Sequence, residues 1–292
     1  MTVEGVGPKG EAQMDASKGS GPAQYANASR FNARVALHAR FATNPRPWPA
    51  WVFDQLEGFE GCSVLELGCG TGMLWQVNAP RVPASWTLVL TDASEGMLAE
   101  SRRRLDGLAS HIELRVMDAQ EIDFPDRAFD IVIANHLLYH LPRRERAIAE
   151  ARRVLREGGA FHATTASLDS LAELRTLMDE FKSAAASARD AVPGPAPRER
   201  AQPVVAAFSL ENGAAQLRDR FGSIDTRIYA DELRITDPDA IVGYVLSLNE
   251  IRDGVQVLEE DEVGAFRDFV AARMARDGEL RATAKSGMFV CR

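Results

Sequence analysis

The stretch Val64-Leu65-Glu66-Leu67-Gly68-Cys69-Gly70-Thr71-Gly72 decides how the rest of the chain is read. A short apolar run enters glycines at alternate positions, and a helix-compatible segment follows. Glycine allows a tight turn and lets a ligand approach without a Cβ in the way. The exposed N–H groups of such a strand-to-helix turn can hold a polar ligand. Gly-x-Gly alone is weak evidence. A dinucleotide fingerprint needs its third glycine where this chain has Met73, which disfavours a nucleotide-linked dehydrogenase. The spacing is Gly-x-Gly-x-Gly instead, with Glu66 two residues ahead.

Working outward, short apolar or alternating runs recur at 63–67, 86–91, 112–117, 129–134 and 159–165. Helical segments separate them, most clearly 94–105 and 143–155. Strands alternating with helices predict parallel strands joined by right-handed crossovers, an open, doubly wound α/β sheet. After Thr165 the rhythm stops. Leu171, Leu174, Met178 and Phe181 fall at helical spacing within 169–191, and a Pro-rich break covers 193–203. A helix is expected at 210–221 and an extended segment at 224–235. Asp237-Pro238 opens another helix, with an N-cap and a proline in the first turn. A last helix carries Val263, Phe266, Phe269, Val270 and Met274, and the chain closes on a strand at 287–291. On the N-terminal side, residues 1–24 are poor in large apolar side chains and predicted to be disordered. Residues 25–56 read as two helices around a proline-stiffened turn at 44–49.

The 292-residue chain is long enough for one α/β domain with insertions, and 46% hydrophobic with 26% charged residues is the make-up of a globular protein. Its net charge of −8 argues against a polyanionic substrate, because nucleic-acid binders normally present a basic face. The basic runs Arg102–Arg104 and Arg143–Arg146 fall in amphipathic helices and read as solvated faces. Cys62, Cys69 and Cys291 are odd in number and lack metal-ligand spacing, so a reduced compartment and no metal are expected. With no bilayer-length apolar stretch and no signal-peptide core, the expected location is the cytoplasm.

The segment from Glu66 to Gly72 closely resembles the first motif of the class I S-adenosylmethionine-dependent methyltransferases. Asp92, ending Leu88-Val89-Leu90-Thr91-Asp92, matches their ribose-binding acid. Met117-Asp118-Ala119 resembles the segment that meets the adenine edge, and 129–136 resembles the fourth strand with the start of the active-site loop. Arg153–Gly159 resembles the turn before the fifth strand. The resemblance implies a seven-stranded, mostly parallel sheet in the order 3-2-1-4-5-7-6 with the last strand antiparallel. It also implies a cofactor core at 59–166, helical lids at 25–58 and 167–223, and a C-terminal part at 224–292 completing the sheet.

The same resemblance assigns roles residue by residue. Glu66 is expected to orient the turn and help hold the methionine ammonium, while Gly68, Gly70 and Gly72 admit the methionine and ribose portions. Asp92 takes the ribose hydroxyls, and Ala93 and Met97 pack on the adenine. The Asp118 carboxylate accepts from the adenine amino group with the Ala119 N–H facing the ring, and Asn135 sits near the methionyl end. Taken singly, Asp92 serves equally as a helix cap and Met97 as core; their joint spacing favours the cofactor.

The acceptor side is less determined. The loop Asn135-His136-Leu137-Leu138-Tyr139-His140-Leu141-Pro142 follows the fourth strand, at the edge where open α/β sheets bind ligands. His136 is the candidate general base, His140 is read as a packing or hydrogen-bonding residue, and Tyr139 as a pocket wall. Tyr25, Phe31, Arg34 and Trp48 are candidate wall residues, since aromatic faces favour a neighbouring sulfonium. His38 and His111 read as surface residues, and His162 as a core histidine. The loop lacks the Asn/Asp-Pro-Pro-Tyr/Phe pattern of enzymes acting on planar nitrogens and resembles the bacterial quinone and secondary-metabolite methyltransferases. The expected partner is therefore a small-molecule acceptor, with no nucleic acid and no membrane, in a monomer or homodimer. Methylation of RNA or protein, and a cofactor-binding scaffold without catalysis, remain the alternatives.

Overall fold

The strand that carries Val64, Leu65 and Leu67, all fully buried, is β1 (Ser63–Leu67), an interior strand, third of seven in the sheet. The computed structural model describes residues 29–107, 112–188, 204–248 and 257–292. β2 (Thr87–Asp92) and β4 (Phe129–Ala134) flank β1, both parallel to it. β3 (Ile112–Val116) lies beyond β2, and β5 (Leu155–Ala166) beyond β4. β7 (Leu280–Cys291) inserts antiparallel between β5 and β6 (Ile224–Ile235). The order is β3-β2-β1-β4-β5-β7-β6, as the sequence resemblance implied.

Nine helices are formed by the described residues: α1 (Ser29–Phe41), α2 (Trp48–Asp54), α3 (Met73–Asn78), α4 (Glu95–Arg104), α5 (Arg144–Val154), α6 (Ala172–Ala188), α7 (Gly213–Leu217), α8 (Pro238–Leu246) and α9 (Val263–Asp277). Successive strand residues point to opposite faces, so β1 feeds two cores. Leu65 and Leu67 join Val132, Ala151 and Phe161 on one face; Val64 joins Leu88, Leu90, Trp75 and Leu98 on the other. β4 reads Phe-Asp-Ile-Val-Ile-Ala and every residue is buried, as a strand covered on both faces should be. Its one acid, Asp130, is paired with Arg156 at 2.7 Å and accepts the Ser63 N–H at 2.8 Å.

β5 pairs with β7 over residues 161–166 and 286–291, whereas β6 pairs with β7 along its whole length. Residues 230–235 and 280–285 therefore run on as a two-stranded ribbon past the end of β5. α1, α6, α8 and α9 gather on this overhang around a third core that includes Leu37, Leu174, Phe181, Leu233, Ile235, Ile241, Phe266, Ala282 and Ala284. The sequence marks β7 only from 287 because the small buried Ala282 and Ala284 alternate with the exposed polar residues Arg281, Thr283 and Lys285. α1 is tied to the ribbon by a bridge between Ala42 and Leu233 and to α4 by Arg104 donating to Asn32 Oδ1. Asp237 caps α8 by accepting from Asp239 N at 2.9 Å, as its sequence predicts. Among the described residues, no helix is long and apolar enough to cross a membrane.

Candidate active site

The carboxyl end of β1 opens into the turn, where Gly68, Gly70 and Gly72 have φ of 66°, 57° and 73°. These are left-handed values that side chains with a Cβ rarely adopt. Space is as tight as conformation. A Cβ on Gly72 would lie 2.6 Å from Ser101 Oγ, and one on Gly68 would lie 2.8 Å from Leu137 Cδ1. The second contact packs the loop after β4 directly onto the Gly-rich turn.

Two carboxylates stand behind that turn. Asp92, at the end of β2, accepts the Gly70 N–H at 3.0 Å and the Ser94 N–H at 2.8 Å, while burial raises its pKa. Glu66 is 1% exposed and accepts from Trp75 Nε1 at 2.6 Å. Burial pushes the Glu66 carboxyl up to about 7; the Trp75 bond opposes that and the Asp92 charge adds to it. The hydroxyl of Thr71, within the turn, is buried without a protein partner among the described residues. A left-handed turn, a carboxylate with lone pairs to spare and an orphaned hydroxyl suit a ligand bearing hydroxyls and a charged amino-acid end. S-adenosylmethionine has both.

The adenine-side candidates separate. Met117 N donates to Asp92 O at 3.1 Å, which sets the segment after β3 beside the end of β2. Asp118 is exposed there and accepts from Gln120 N at 2.8 Å and Gln120 Nε2 at 3.1 Å; Ala119 is buried. Ala93 is exposed, while Met97 is 1% exposed and its N–H is capped by Ser94 Oγ.

The loop after β4 holds the titratable candidates. His136 has φ 51°, a left-handed value on a residue that is not glycine. Its main-chain N–H donates to Thr164 Oγ1 at 2.8 Å, and that hydroxyl donates to Asn135 Oδ1 at 2.7 Å. The His136 ring lies 5.1 Å from the Trp48 ring and 6.1 Å from Tyr139, which lies 4.4 Å from His140. Burial, then the nearby His38, push the His136 imidazole down to about 4. Burial, then Arg34 and His136, push His140 to about 3. Both rings are neutral bases at physiological pH.

α1 and α2 carry the candidate wall residues. Trp48 stacks on Trp51 at 5.2 Å and meets Tyr229 edge-on at 5.2 Å, and Tyr229 donates to Arg46 O at 2.7 Å. Arg34 is partly buried and donates to Ser247 O at 3.0 Å. Phe31 lies within α1, whereas Tyr25, His111 and the 193–203 break fall outside the described residues. His38 was read as a surface residue. It is instead partly buried, acts electrostatically on His136, and has its pKa lowered by burial, with Asp231 opposing. The sequence reading also passed over Trp51, Tyr229 and Tyr244. Trp51 falls one helical turn from Trp48, a spacing legible in hindsight; Tyr229 and Tyr244 arrive from β6 and α8, which no local pattern ties to the loop. His162 is buried in β5 with Nδ1 3.3 Å from Met288 Sδ and Nε2 unpartnered.

Residues 64–159 match the family model described as a methyltransferase domain. Over 101 residues the chain is 43% identical to phosphatidylethanolamine N-methyltransferase of Cereibacter sphaeroides, covering 34% of this chain and 48% of the relative. Over 114 residues it is 37% identical to the ubiquinone/menaquinone biosynthesis C-methyltransferase UbiE of Bordetella avium, covering 39% of this chain and 44% of the relative. The chain thus spans about half the length of the curated relatives it matches. Among solved structures, the cyclase SpnF superposes with a TM-score of 0.52 at 15% identity, over 91% of this chain and 93% of that one. Matching sequence, strand order and turn geometry identify residues 64–159 as a class I S-adenosylmethionine-dependent methyltransferase domain.

Proposed function

We propose that this chain moves the methyl group of S-adenosylmethionine to an O, N or C atom of a small molecule in specialised or quinone-like metabolism, leaving S-adenosylhomocysteine. One observation carries the reading: Leu137 packs on Gly68, so the loop bearing His136 abuts the cofactor turn, while Trp48 covers that histidine from α2. Base, aromatic wall and cofactor turn adjoin one another under a helical cap. A cap of this kind excludes a folded macromolecule better than it excludes a metabolite.

When bound, the cofactor supplies an electrophilic methyl on a sulfonium, so displacement is a single in-line step. The protein's contribution is alignment and dryness. Asp92 and the left-handed glycines would hold the ligand, and Trp48, Trp51 and Tyr229, packed on one another beside His136, would exclude water. Aromatic faces next to a cation add attraction. His136, neutral and held by its main chain, accepts a proton where the acceptor atom must lose one. The fold does not by itself fix the reaction, since a cyclase shares it.

The test is incubation with methyl-labelled S-adenosylmethionine and a cell extract, followed by separation of products by size. Label in the small, extractable fraction is expected. Label in RNA or protein would overturn the acceptor class. Tight S-adenosylhomocysteine binding with no label anywhere would favour a non-catalytic scaffold.

A further inference from the structure

Among the described residues, one candidate wall residue, Arg34, is a cation with no counter-ion. Arg34 projects from α1 and is partly buried. Arg104, Arg115, Arg153, Arg227 and Arg273 are buried to a similar class, and each forms an ion pair with Glu or Asp. Arg34 forms none among the described residues. Its hydrogen bond goes to the main-chain oxygen of Ser247, itself 1% exposed. Arg144, which opens α5, shares this lack of an ion pair among the described residues, but it is not among the charges felt by His136 or His140.

The surroundings of Arg34 sharpen the point. Its charge is felt by His140 and by Tyr244 on α8, and His140 in turn lies within reach of His136. His38 stands one helical turn along α1 and is felt by His136. Among the described residues, the acid felt in this group is Asp231, through His38, and its Oδ1 accepts the main-chain N–H groups of Thr43, Asn44 and Glu232. Among the described residues, Arg34 thus stands with imidazoles and aromatic rings, and the exposed Arg175 on α6 also acts on Tyr244. A guanidinium has five N–H donors, and one bond uses few of them. Partly buried and without an ion pair among the described residues, this guanidinium keeps donors free for an anion.

Resting on the methyl-transfer reading above, we propose that Arg34 is the specificity-determining residue of the acceptor site and that the acceptor carries an anionic group, a carboxylate or phosphate, held by its guanidinium. The fork of Arg34 suits the two oxygens of either group, as a point-charge lysine does not. The reacting atom then lies toward His136, and the anion toward α1 and α8.

The experiment uses the full chain with methyl-labelled S-adenosylmethionine and cell extract, passing the small labelled product over an anion exchanger at pH 8. Retention is expected. The purified product's unmethylated precursor then serves as substrate for Arg34→Gln and Arg34→Lys. Arg34→Gln should raise KM by roughly 30-fold or more with a smaller change in kcat, while S-adenosylhomocysteine affinity stays as in the parent. Arg34→Lys should recover part of that loss, which a purely structural bond to Ser247 O would not require. A labelled product that passes through the exchanger, or an Arg34→Gln enzyme with unchanged KM, would overturn the anion assignment and leave methyl transfer standing. No labelled small molecule at all would overturn the methyl-transfer reading, and this assignment with it.

Discussion

Thr164 holds His136 from behind: its hydroxyl accepts the His136 main-chain N–H at 2.8 Å while donating to Asn135 Oδ1 at 2.7 Å. His136 pays for its place with φ of 51°, and the buried Thr164 is what the left-handed backbone leans on. Thr164→Val keeps the volume but leaves an N–H and an amide oxygen without their partner. Stability should fall by about 1–3 kcal/mol in denaturant titration. Turnover should fall further than S-adenosylhomocysteine affinity, since Asp92 and the glycines are untouched.

His136 as base makes an unusual pH prediction. Its pKa is lowered to about 4, so the neutral, proton-accepting ring predominates above that value. With the cofactor held saturating at every pH, the pH–rate profile of kcat should be level from about pH 5.5 upward and decline toward pH 4, where a solvent-exposed histidine would already fail near pH 6.5. His136→Gln should lower the plateau by about 100-fold or more if the acceptor loses a proton, with cofactor binding retained. An unchanged plateau would remove the residue from the chemistry.

Asp92→Ala removes the acceptor of the Gly70 and Ser94 N–H groups together with the expected ribose contact. Calorimetry with S-adenosylhomocysteine should show affinity reduced by roughly 100-fold, the loss expected for charge-assisted hydrogen bonds. Retained affinity would mean that the end of β2 does not meet the cofactor.

Glu66 gives a second pH signature. Its folded pKa, about 7, lies above the ordinary carboxylate value of 4.5 because the side chain is buried. A group raised in this way contributes stability that is fully present below 4.5 and lost as pH rises through 7. The melting temperature of Glu66→Gln relative to the parent should therefore climb between pH 5 and pH 8. A cationic ligand end favours the ionised carboxylate, so S-adenosylmethionine binding should release a proton and tighten as pH approaches 7. Calorimetry in buffers of different ionisation enthalpy reads that proton, and Glu66→Gln should abolish it.

The cofactor half of this molecule was legible because its signals are local. Seven consecutive positions from Glu66 to Gly72 specify a turn, and Asp92 ends a strand whose register against β1 follows from alternation. The acceptor half was legible only in pieces. Trp48 and Arg34 were picked out by residue type, but Tyr229 reaches Trp48 across 181 positions of chain through the pairing of β6 with β7. His38 was misjudged for the same reason. Its helix looks amphipathic and exposed until α8 and the ribbon are laid against it. Met97, expected to pack on the adenine, is 1% exposed, and its place at the start of α4 is set by Ser94.

The overhang of β6 and β7 has a bearing on how such a protein changes over time. The helices on it rest on a core of their own, distinct from the two cores that clamp the sheet. Substitutions among Leu37, Ile241, Phe266 and their neighbours can therefore reshape the roof without loosening the Gly-rich turn. On the proposed reading, changes among the ribbon's passengers would alter the acceptor's surroundings while the glycine turn keeps its own packing.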